Sequence, residues 1–407
     1  MVQPAPVHFP SRDGNQLAAR FDPPAGIPRG LAIFAHCFTC SKDILAARRI
    51  AAGLTKHGIG VLRFDFTGLG HSEGEFGNAG FTSNVEDLVA AATWLADNHG
   101  PADILVGHSL GGAAVLAAAG RIESVKGVAT IGAPAHPAHV SHLLEDSRED
   151  IEERGCAAVT IAGRSFDICK SFIDDLDTHE QKKAIANLHR DLLVLHSPVD
   201  QVVGIDNATE IFLAAKHPRS FVSLDQADHM LSRPQDAEFA AEMISAWASR
   251  ILPPVEKPPV KEGHVIVQPL GHELFPHIVT AGENTIIADE PVNAGGRNTG
   301  LSPYELLLAG LGACTSMTMR MYAQRKGWPA DQIRVDLTHA KAYVTDCETC
   351  EEKPVKMDVI DRTITLGDNL DEEQRQRLME IADKCPVHRT LESDIRIVTA
   401  RRDATDT

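Results

Sequence analysis

Residues 103–119 constrain the fold more than any other stretch. Asp103-Ile104-Leu105-Val106 is a short apolar run, Gly107-His108-Ser109-Leu110-Gly111 a glycine-flanked turn, and 112–119 an alanine-rich segment. A brief apolar run ending in Gly reads as a strand buried on both faces, which is the habit of parallel sheets covered by helices. The alanine-rich run reads as a helix. The same pairing recurs. Strands are predicted at 30–36, 60–65, 104–106, 127–131 and 191–196, with helices at 42–57, 83–98 and 111–121. This alternation predicts an α/β fold, a doubly wound and mostly parallel sheet. Residues 7–11 and 16–22, split by Arg12-Asp13-Gly14-Asn15, read as an antiparallel hairpin at one edge. Between Pro134 and Arg190 the rhythm breaks into short helical patterns, including 170–176 and 178–188. An inserted helical cap at about 135–190 is expected there.

Leu252-Pro253-Pro254-Val255-Glu256-Lys257-Pro258-Pro259 favours extended polyproline geometry and marks a boundary. At 407 residues the chain is long for one domain. The expected division is 1–252, a linker at 253–262, and 263–407. Beyond the linker the pattern is α+β. Strands are predicted at 264–268, 274–280 and 285–289, then a helix from Pro303 to about Arg325. Strands at 333–344 and 356–366, a helix at 371–384 and a last strand at 394–400 follow. The helix from Pro303 is apolar on nearly every side, which predicts burial in a core or a dimer interface.

A net charge of −17 argues against a nucleic-acid partner. No apolar run reaches membrane-spanning length, and the first residues lack a basic then apolar leader pattern, so a cytoplasmic protein is expected. In that setting the eight cysteines are read as thiols.

Strand, sharp turn and helix at 103–119 are the setting that a G-x-S-x-G turn needs to expose a serine hydroxyl. Such a hydroxyl is a weak nucleophile until a base takes its proton and a carboxylate orients that base. Asp200 and His229 each follow a predicted strand, where catalysis sits in open α/β sheets. They are favoured over Asp225 and Asp228 for the acid, and over His108, His196 and His217 for the base. The backbone N–H groups of Leu110 and of Phe38, after the strand at 30–36, are the candidate oxyanion donors. These residues, with Asp65-Phe66-Thr67-Gly68-Leu69-Gly70-His71-Ser72, resemble the α/β-hydrolase family in its serine aminopeptidase and acyl-esterase branch. The resemblance implies hydrolysis of small acyl esters by Ser109, Asp200 and His229. One departure stands out: Cys37 replaces the usual Gly of that family's oxyanion loop. Cys37 and Cys40 are read as two small space-filling thiols in preference to a redox switch.

A second centre lies beyond the linker. Cys314, in Gly312-Ala313-Cys314-Thr315, sits in apolar surroundings, whereas Cys385, in Lys384-Cys385-Pro386-Val387-His388-Arg389, has basic neighbours that favour a thiolate. Glu305 stands nine positions before Cys314, about 2.5 helical turns, so pairing the two needs an irregular helix start or a partner subunit. These segments, with Gly295-Gly296-Arg297-Asn298-Thr299-Gly300-Leu301, resemble the OsmC/Ohr family of organic hydroperoxide reductases. That resemblance implies Cys314 as the peroxidatic thiolate and Cys385 as the resolving one. It also implies Glu305 orienting a guanidinium, for which Arg297 is the candidate. It further implies an intertwined homodimer and a dithiol reductant as co-substrate, such as a lipoylated protein. No other cofactor and no metal is expected. Cys347 and Cys350, an isolated C-x-x-C, are read as a surface dithiol rather than a metal site. The alternative to a bifunctional enzyme is a hydrolase whose second half only dimerises or binds.

Overall fold

A computed structural model describes residues 5–401 except 26, 39, 140, 142–146, 162–163, 255–258, 271–273 and 345–354. The chain separates into two compact units near residue 266, with 280–286 grouped with the first.

The first unit is built on strands β1 (Ala5–Pro10), β2 (Gln16–Asp22), β3 (Gly30–Ala35), β4 (Ile59–Phe64), β5 (Ile104–His108) and β6 (Gly127–Ile131). A separate pair, β7 (Cys156–Ile161) and β8 (Arg164–Cys169), precedes β9 (Asp191–His196) and β10 (Arg219–Ser223). The main sheet has the order β1-β2-β4-β3-β5-β6-β9-β10. Its β1–β2 and β2–β4 pairs are antiparallel, and those from β4 to β10 are parallel. Helices α1 (Leu45–Lys56), α2 (Phe76–Asn98) and α3 (Leu110–Ala118) connect the early strands. The cap carries α4 (Arg148–Arg154), α5 (Lys170–Thr178) and α6 (Gln181–Ala186), and α7 (Asp206–Ala214) and α8 (Pro234–Ala248) complete the unit.

Two-sided burial explains the continuous apolar strands. In β3, Ala32 and Phe34 join a core with α1 and α8, while Ile33 and Ala35 join the opposite core with α2 and α3. Leu193 and Leu195 of β9 divide from Leu192 and Val194 in the same way. The cap residues Ile151, Val159, Ile168, Phe172 and Leu176 belong to the α2–α3 core. The cap therefore contains an antiparallel hairpin, β7–β8, that its helical reading did not include. A disulfide closes the hairpin between its paired ends, Cys156 and Cys169.

One buried carboxylate makes this core sensitive to pH. Asp87 of α2 accepts hydrogen bonds from the N–H of Thr67 (2.8 Å) and its hydroxyl (3.0 Å). Burial outweighs those bonds and pushes its pKa up to about 6. A carboxyl with a raised folded-state pKa binds its proton more tightly when folded, so stability declines as pH rises from about 4 to 6. Asp87→Asn is expected to remove that decline, which is on the order of 2–3 kcal/mol. Denaturation midpoints of wild type and variant at pH 4 and pH 7.5 measure it.

After the Pro-rich segment, β11 (Ile266–Pro269), β12 (His277–Ala281) and β13 (Asn284–Ala288) form a three-stranded sheet. The helix α9 (Pro303–Lys326) follows, then the antiparallel pair β14 (Ile333–Val344) and β15 (Val355–Leu366), α10 (Glu372–Ala382) and α11 (Pro386–Leu391). Ser302 and Glu305 cap α9 reciprocally, and Asp371 and Gln374 do the same for α10. Only one stripe of α9 is buried in the single chain: Leu311, Thr315, Met319 and Ala323, at i+4 spacing. Tyr304, Leu307, Met317 and Met321 stand exposed.

Residues 394–400 form no strand, contrary to the reading of their sequence. Their alternation suits a strand, but a strand exists only through a partner, and Ile397 is left 87% exposed. No helix among the described residues is long and apolar enough to cross a membrane.

Candidate active sites

β5 ends at His108, α3 starts at Leu110, and Ser109 between them has φ 55° and ψ −126°. Such a backbone is costly for a residue with a side chain and persists only where neighbours force it. Here the forcing is visible. A Cβ on Gly107 would lie 2.3 Å from the carbonyl oxygen of Gly111, and one on Gly111 would lie 2.4 Å from those of Ala35 and His36. The two glycines let β5, α3 and the end of β3 approach closely enough to form the turn.

His229, in the loop after β10, accepts a hydrogen bond at Nε2 from the Ser109 hydroxyl (3.0 Å). Its Nδ1–H donates to Oδ2 of Asp200 (2.8 Å), in the turn after β9. The other Asp200 oxygen accepts the N–H groups of Val202 (2.8 Å) and Val203 (2.9 Å). Burial pushes the Asp200 carboxyl up. The bonds from His229, Val203 and Val202 outweigh it and hold the group ionised below the usual carboxylate range.

The competitors lie elsewhere. Asp225 and Asp228 are exposed, and accept bonds from Ser223 and from the N–H of Ser232. His217 is exposed. His108 and His196 are buried, and each donates from Nε2 to a backbone carbonyl: that of His229 (2.7 Å) for His108, that of Val203 (2.8 Å) for His196. Burial lowers the pKa of both, to about 3 for His108, so both are neutral. They fasten the two loops that carry His229 and Asp200.

The loop after β3 holds the second candidate oxyanion donor. The carbonyl of Cys37 accepts hydrogen bonds from Nδ1–H of His36 (2.8 Å) and from the N–H of Cys40 (3.2 Å). Because a peptide unit is planar, this turns the N–H of Phe38 the opposite way. The Phe38 ring packs on Phe172 of the cap at 5.8 Å. Cys37 and Cys40 are joined as a disulfide, which corrects their reading as separate thiols. Downstream, the buried Lys42 ammonium donates to Asp65 (2.6 Å). Asp65 is crowded against Gly70, where a Cβ would lie 2.3 Å from its carboxyl carbon. Leu110 is the first residue of α3, so its N–H is among those a helix leaves without an intrahelical partner.

Cys314 and Cys385 are free cysteines beyond the boundary, the first half-buried on α9 and the second fully buried just before α11. Their elements pack together, and each thiol shifts the titration of the other. Burial and the neighbouring Cys385 push the Cys314 thiol up. Burial also raises Cys385, but bonds from Cys314, from the N–H groups of His388 and Val387 and from the Thr315 hydroxyl outweigh it and pull that thiol down.

Glu305 is occupied as a capping residue, its carboxylate accepting the N–H of Ser302 (2.7 Å). With α9 regular from Pro303, it faces away from Cys314 and is not brought to it within one chain. Arg297 lies in a loop organised by Asp289, which accepts its N–H (3.1 Å) and the N–H and hydroxyl of Thr299. A guanidinium not singled out in the sequence, that of Arg362 on β15, bonds the residue that follows Cys314. It donates to Thr315 (3.2 Å), to the carbonyl of Ala382 (3.3 Å) and to Asp383 (2.6 Å). Cys347 and Cys350 lie outside the described residues. Among the described residues no cluster of three or more His, Cys, Asp or Glu could hold a metal.

Two family models match the chain: "Serine aminopeptidase, S33" over residues 26–149 and "OsmC-like protein" over 296–400. The esterase domain of a Rhodothermus marinus protein is 48% identical, with a TM-score of 0.51, covering 61% of this chain and 98% of that one. The chain is an α/β-hydrolase followed by an OsmC-like domain. The fold of the hydrolase half also matches the α/β hydrolase GrgF of Penicillium sp. sh18 (19% identity, TM-score 0.52, 62% of this chain and 99% of that one). It matches Est1E of Butyrivibrio proteoclasticus, a structure with ferulic acid bound (19% identity, TM-score 0.51, 60% and 98%). The uncharacterised protein YfhR of Salmonella typhimurium is 24% identical over 227 residues, 55% of this chain and 74% of its own.

The glycine contacts in the hydrolase half give a test. Gly111→Ala is expected to lower hydrolysis at least about a hundredfold, because displacing the end of β3 displaces the oxyanion loop. Gly120→Ala, with nothing within 4 Å of the added methyl, is expected to change nothing. Initial rates on a p-nitrophenyl ester compare the two.

Proposed function

We infer that the N-terminal half is a serine esterase for small acyl esters and the C-terminal half a thiol peroxidase for organic hydroperoxides. The observation that carries the first reading is the unbroken bond series Ser109–His229–Asp200, assembled from three strand ends. Ser109 Oγ attacks the ester carbonyl as its proton passes to His229 Nε2. The N–H groups of Leu110 and Phe38 receive the oxyanion, and Asp200 holds the imidazole in the tautomer that can accept. The alcohol leaves with the proton from His229, and water then releases the acid by the same steps reversed. The 48% identity to an esterase domain supports the ester class.

For the second reading, the Cys314 thiolate attacks the terminal oxygen of ROOH. The O–O bond breaks, RO⁻ leaves and is protonated to ROH, and Cys314 becomes a sulfenic acid. The Cys385 thiolate then attacks that sulfur, hydroxide leaves as water, and a disulfide forms. A dithiol such as a lipoylated protein reduces it. The packing of α11 on α9, which carry two free cysteines whose titrations are linked, supports this pairing. Glu305 and Arg297 would enter only through a homodimer. The exposed Leu307, Met317 and Met321 of α9 supply an apolar face for one.

That same face favours the alternative in which the second half only dimerises or binds. Parallel assays of p-nitrophenyl esters and cumene hydroperoxide, the latter with a dithiol, separate the readings. Ester turnover without hydroperoxide consumption leaves the dimerisation module, and no ester turnover removes the esterase.

A further inference from the structure

We propose that the Cys37–Cys40 disulfide is a thiol-exchange site at which a dithiol sets the hydrolysis rate, by releasing the turn that carries the Phe38 N–H. The proposal rests on the esterase reading and names a modification site that the chemistry of Ser109, His229 and Asp200 does not use.

The disulfide closes a very small ring. Cys37 and Cys40 are three positions apart, with their Cα atoms separated by 5.3 Å. The Cys40 N–H donates to the Cys37 carbonyl (3.2 Å), so residues 37–40 make a β-turn. Stabilisation by a cross-link grows with the length of chain it encloses. The Cys156–Cys169 bond spans 13 positions and suits a staple for the cap hairpin. A bridge across three positions adds little of that kind, so its effect falls on local geometry.

That geometry matters because both flanks of the turn are already fixed. Upstream, the His36 ring is neutral through burial. It donates from Nδ1 to the Cys37 carbonyl (2.8 Å) and accepts the Phe66 N–H at Nε2 (3.4 Å). Downstream, Lys42 donates its N–H and its ammonium to Asp65, and its carbonyl accepts from Arg63. Between these anchors the 37–38 peptide can present to the oxyanion either the Phe38 N–H, which stabilises it, or the Cys37 carbonyl, which repels it. The disulfide holds Cys40, and with it the Cys40 N–H, against the Cys37 carbonyl. Once it opens, among the described residues one backbone bond is left between Cys37 and Cys40.

Cys40 is the half-buried member of the pair and Cys37 the buried one. A dithiol thiolate therefore attacks the Cys40 sulfur, the S–S bond breaks, and Cys37 leaves as a thiolate that takes up a proton. The second thiol of the reductant attacks its own mixed-disulfide sulfur and releases Cys40 as a thiol. The reductant ends as a disulfide, two electrons having passed to the cysteines, and a disulfide of the same class reverses the exchange.

The test uses the full chain equilibrated with oxidised or reduced dithiothreitol, then freed of it by gel filtration under nitrogen. Acid-quenched samples alkylated in denaturant show, by the mass of the peptide carrying residues 37 and 40, how much of the bond is open. Reduction is expected to open it and to lower kcat on a p-nitrophenyl ester about tenfold, with KM changed less than about twofold, short of the hundredfold that complete loss of one oxyanion donor costs. Cys40→Ser shows the lower rate after either treatment, and the Cys156→Ser/Cys169→Ser double variant keeps the response. A Cys37–Cys40 bond that the dithiol leaves closed, or an open one with unchanged kcat, overturns the proposal. So does a response that disappears in the Cys156→Ser/Cys169→Ser chain. A wild-type chain with no ester turnover in either state overturns the esterase reading instead, and the peptide masses still decide whether Cys37 and Cys40 exchange with a dithiol.

Discussion

Replacing Ser109 with alanine is expected to lower p-nitrophenyl ester hydrolysis by about a millionfold, with hydroperoxide consumption unchanged. The size follows from the geometry. Ser109, His229 and Asp200 are joined by bonds of 3.0 and 2.8 Å, and groups that act as one unit are lost together when one is removed. His229→Ala is expected to cost as much as Ser109→Ala, and the double variant little more. Asp200→Asn is a milder change, at about ten-thousandfold, because nucleophile and base survive and only the imidazole tautomer is lost. Rates measured with active-site titration, so that inactive protein is not counted, check all four. Equal activity in wild type and Ser109→Ala would remove Ser109 from the chemistry whatever its backbone strain.

The parts that were legible in the sequence share a physical cause. Strands buried on both faces must be continuously apolar, so β3, β4, β5, β6 and β9 could be read directly. Ser109, Asp200 and His229 could be picked out because each stands just beyond such a strand, and the structure places them in contact. Pairing across the chain is what the sequence hides. Cys156-Ala157-Ala158-Val159-Thr160-Ile161 has too weak an alternation to announce β7, which exists because Arg164–Cys169 lies opposite. Residues 394–400 alternate well, yet no strand among the described residues pairs with them. The fastening roles of His108 and His196 depend on backbone carbonyls 121 and 7 residues away. Arg362 belongs to no motif and reaches Thr315, 47 residues earlier, because β15 pairs with β14, on which α9 packs.

Replacing Cys314 with serine is expected to abolish dithiol-dependent hydroperoxide consumption, whereas Cys385→Ser, assayed without dithiol, consumes one equivalent and stops at the sulfenic acid. The asymmetry comes from position and chemistry together. Cys314 is the half-buried member of the pair, reachable by a peroxide, and Cys385 is fully buried behind it. With Cys385 absent, Cys314 consumes one equivalent of hydroperoxide and remains a sulfenic acid, since no thiol is in contact to displace hydroxide. With Cys314 absent, the buried Cys385 has no access to substrate, although its thiol is the one held low by surrounding donors. Stoichiometry of cumene hydroperoxide loss per chain, with dimedone trapping and mass analysis of the two cysteine peptides, distinguishes the variants. One equivalent consumed by Cys314→Ser, with the adduct on Cys385, would exchange the two roles and make the donors around Cys385 part of the peroxide step. No consumption by any form would leave the pair a buried thiol contact. The apolar face of α9 would then be the feature for which the second half is retained.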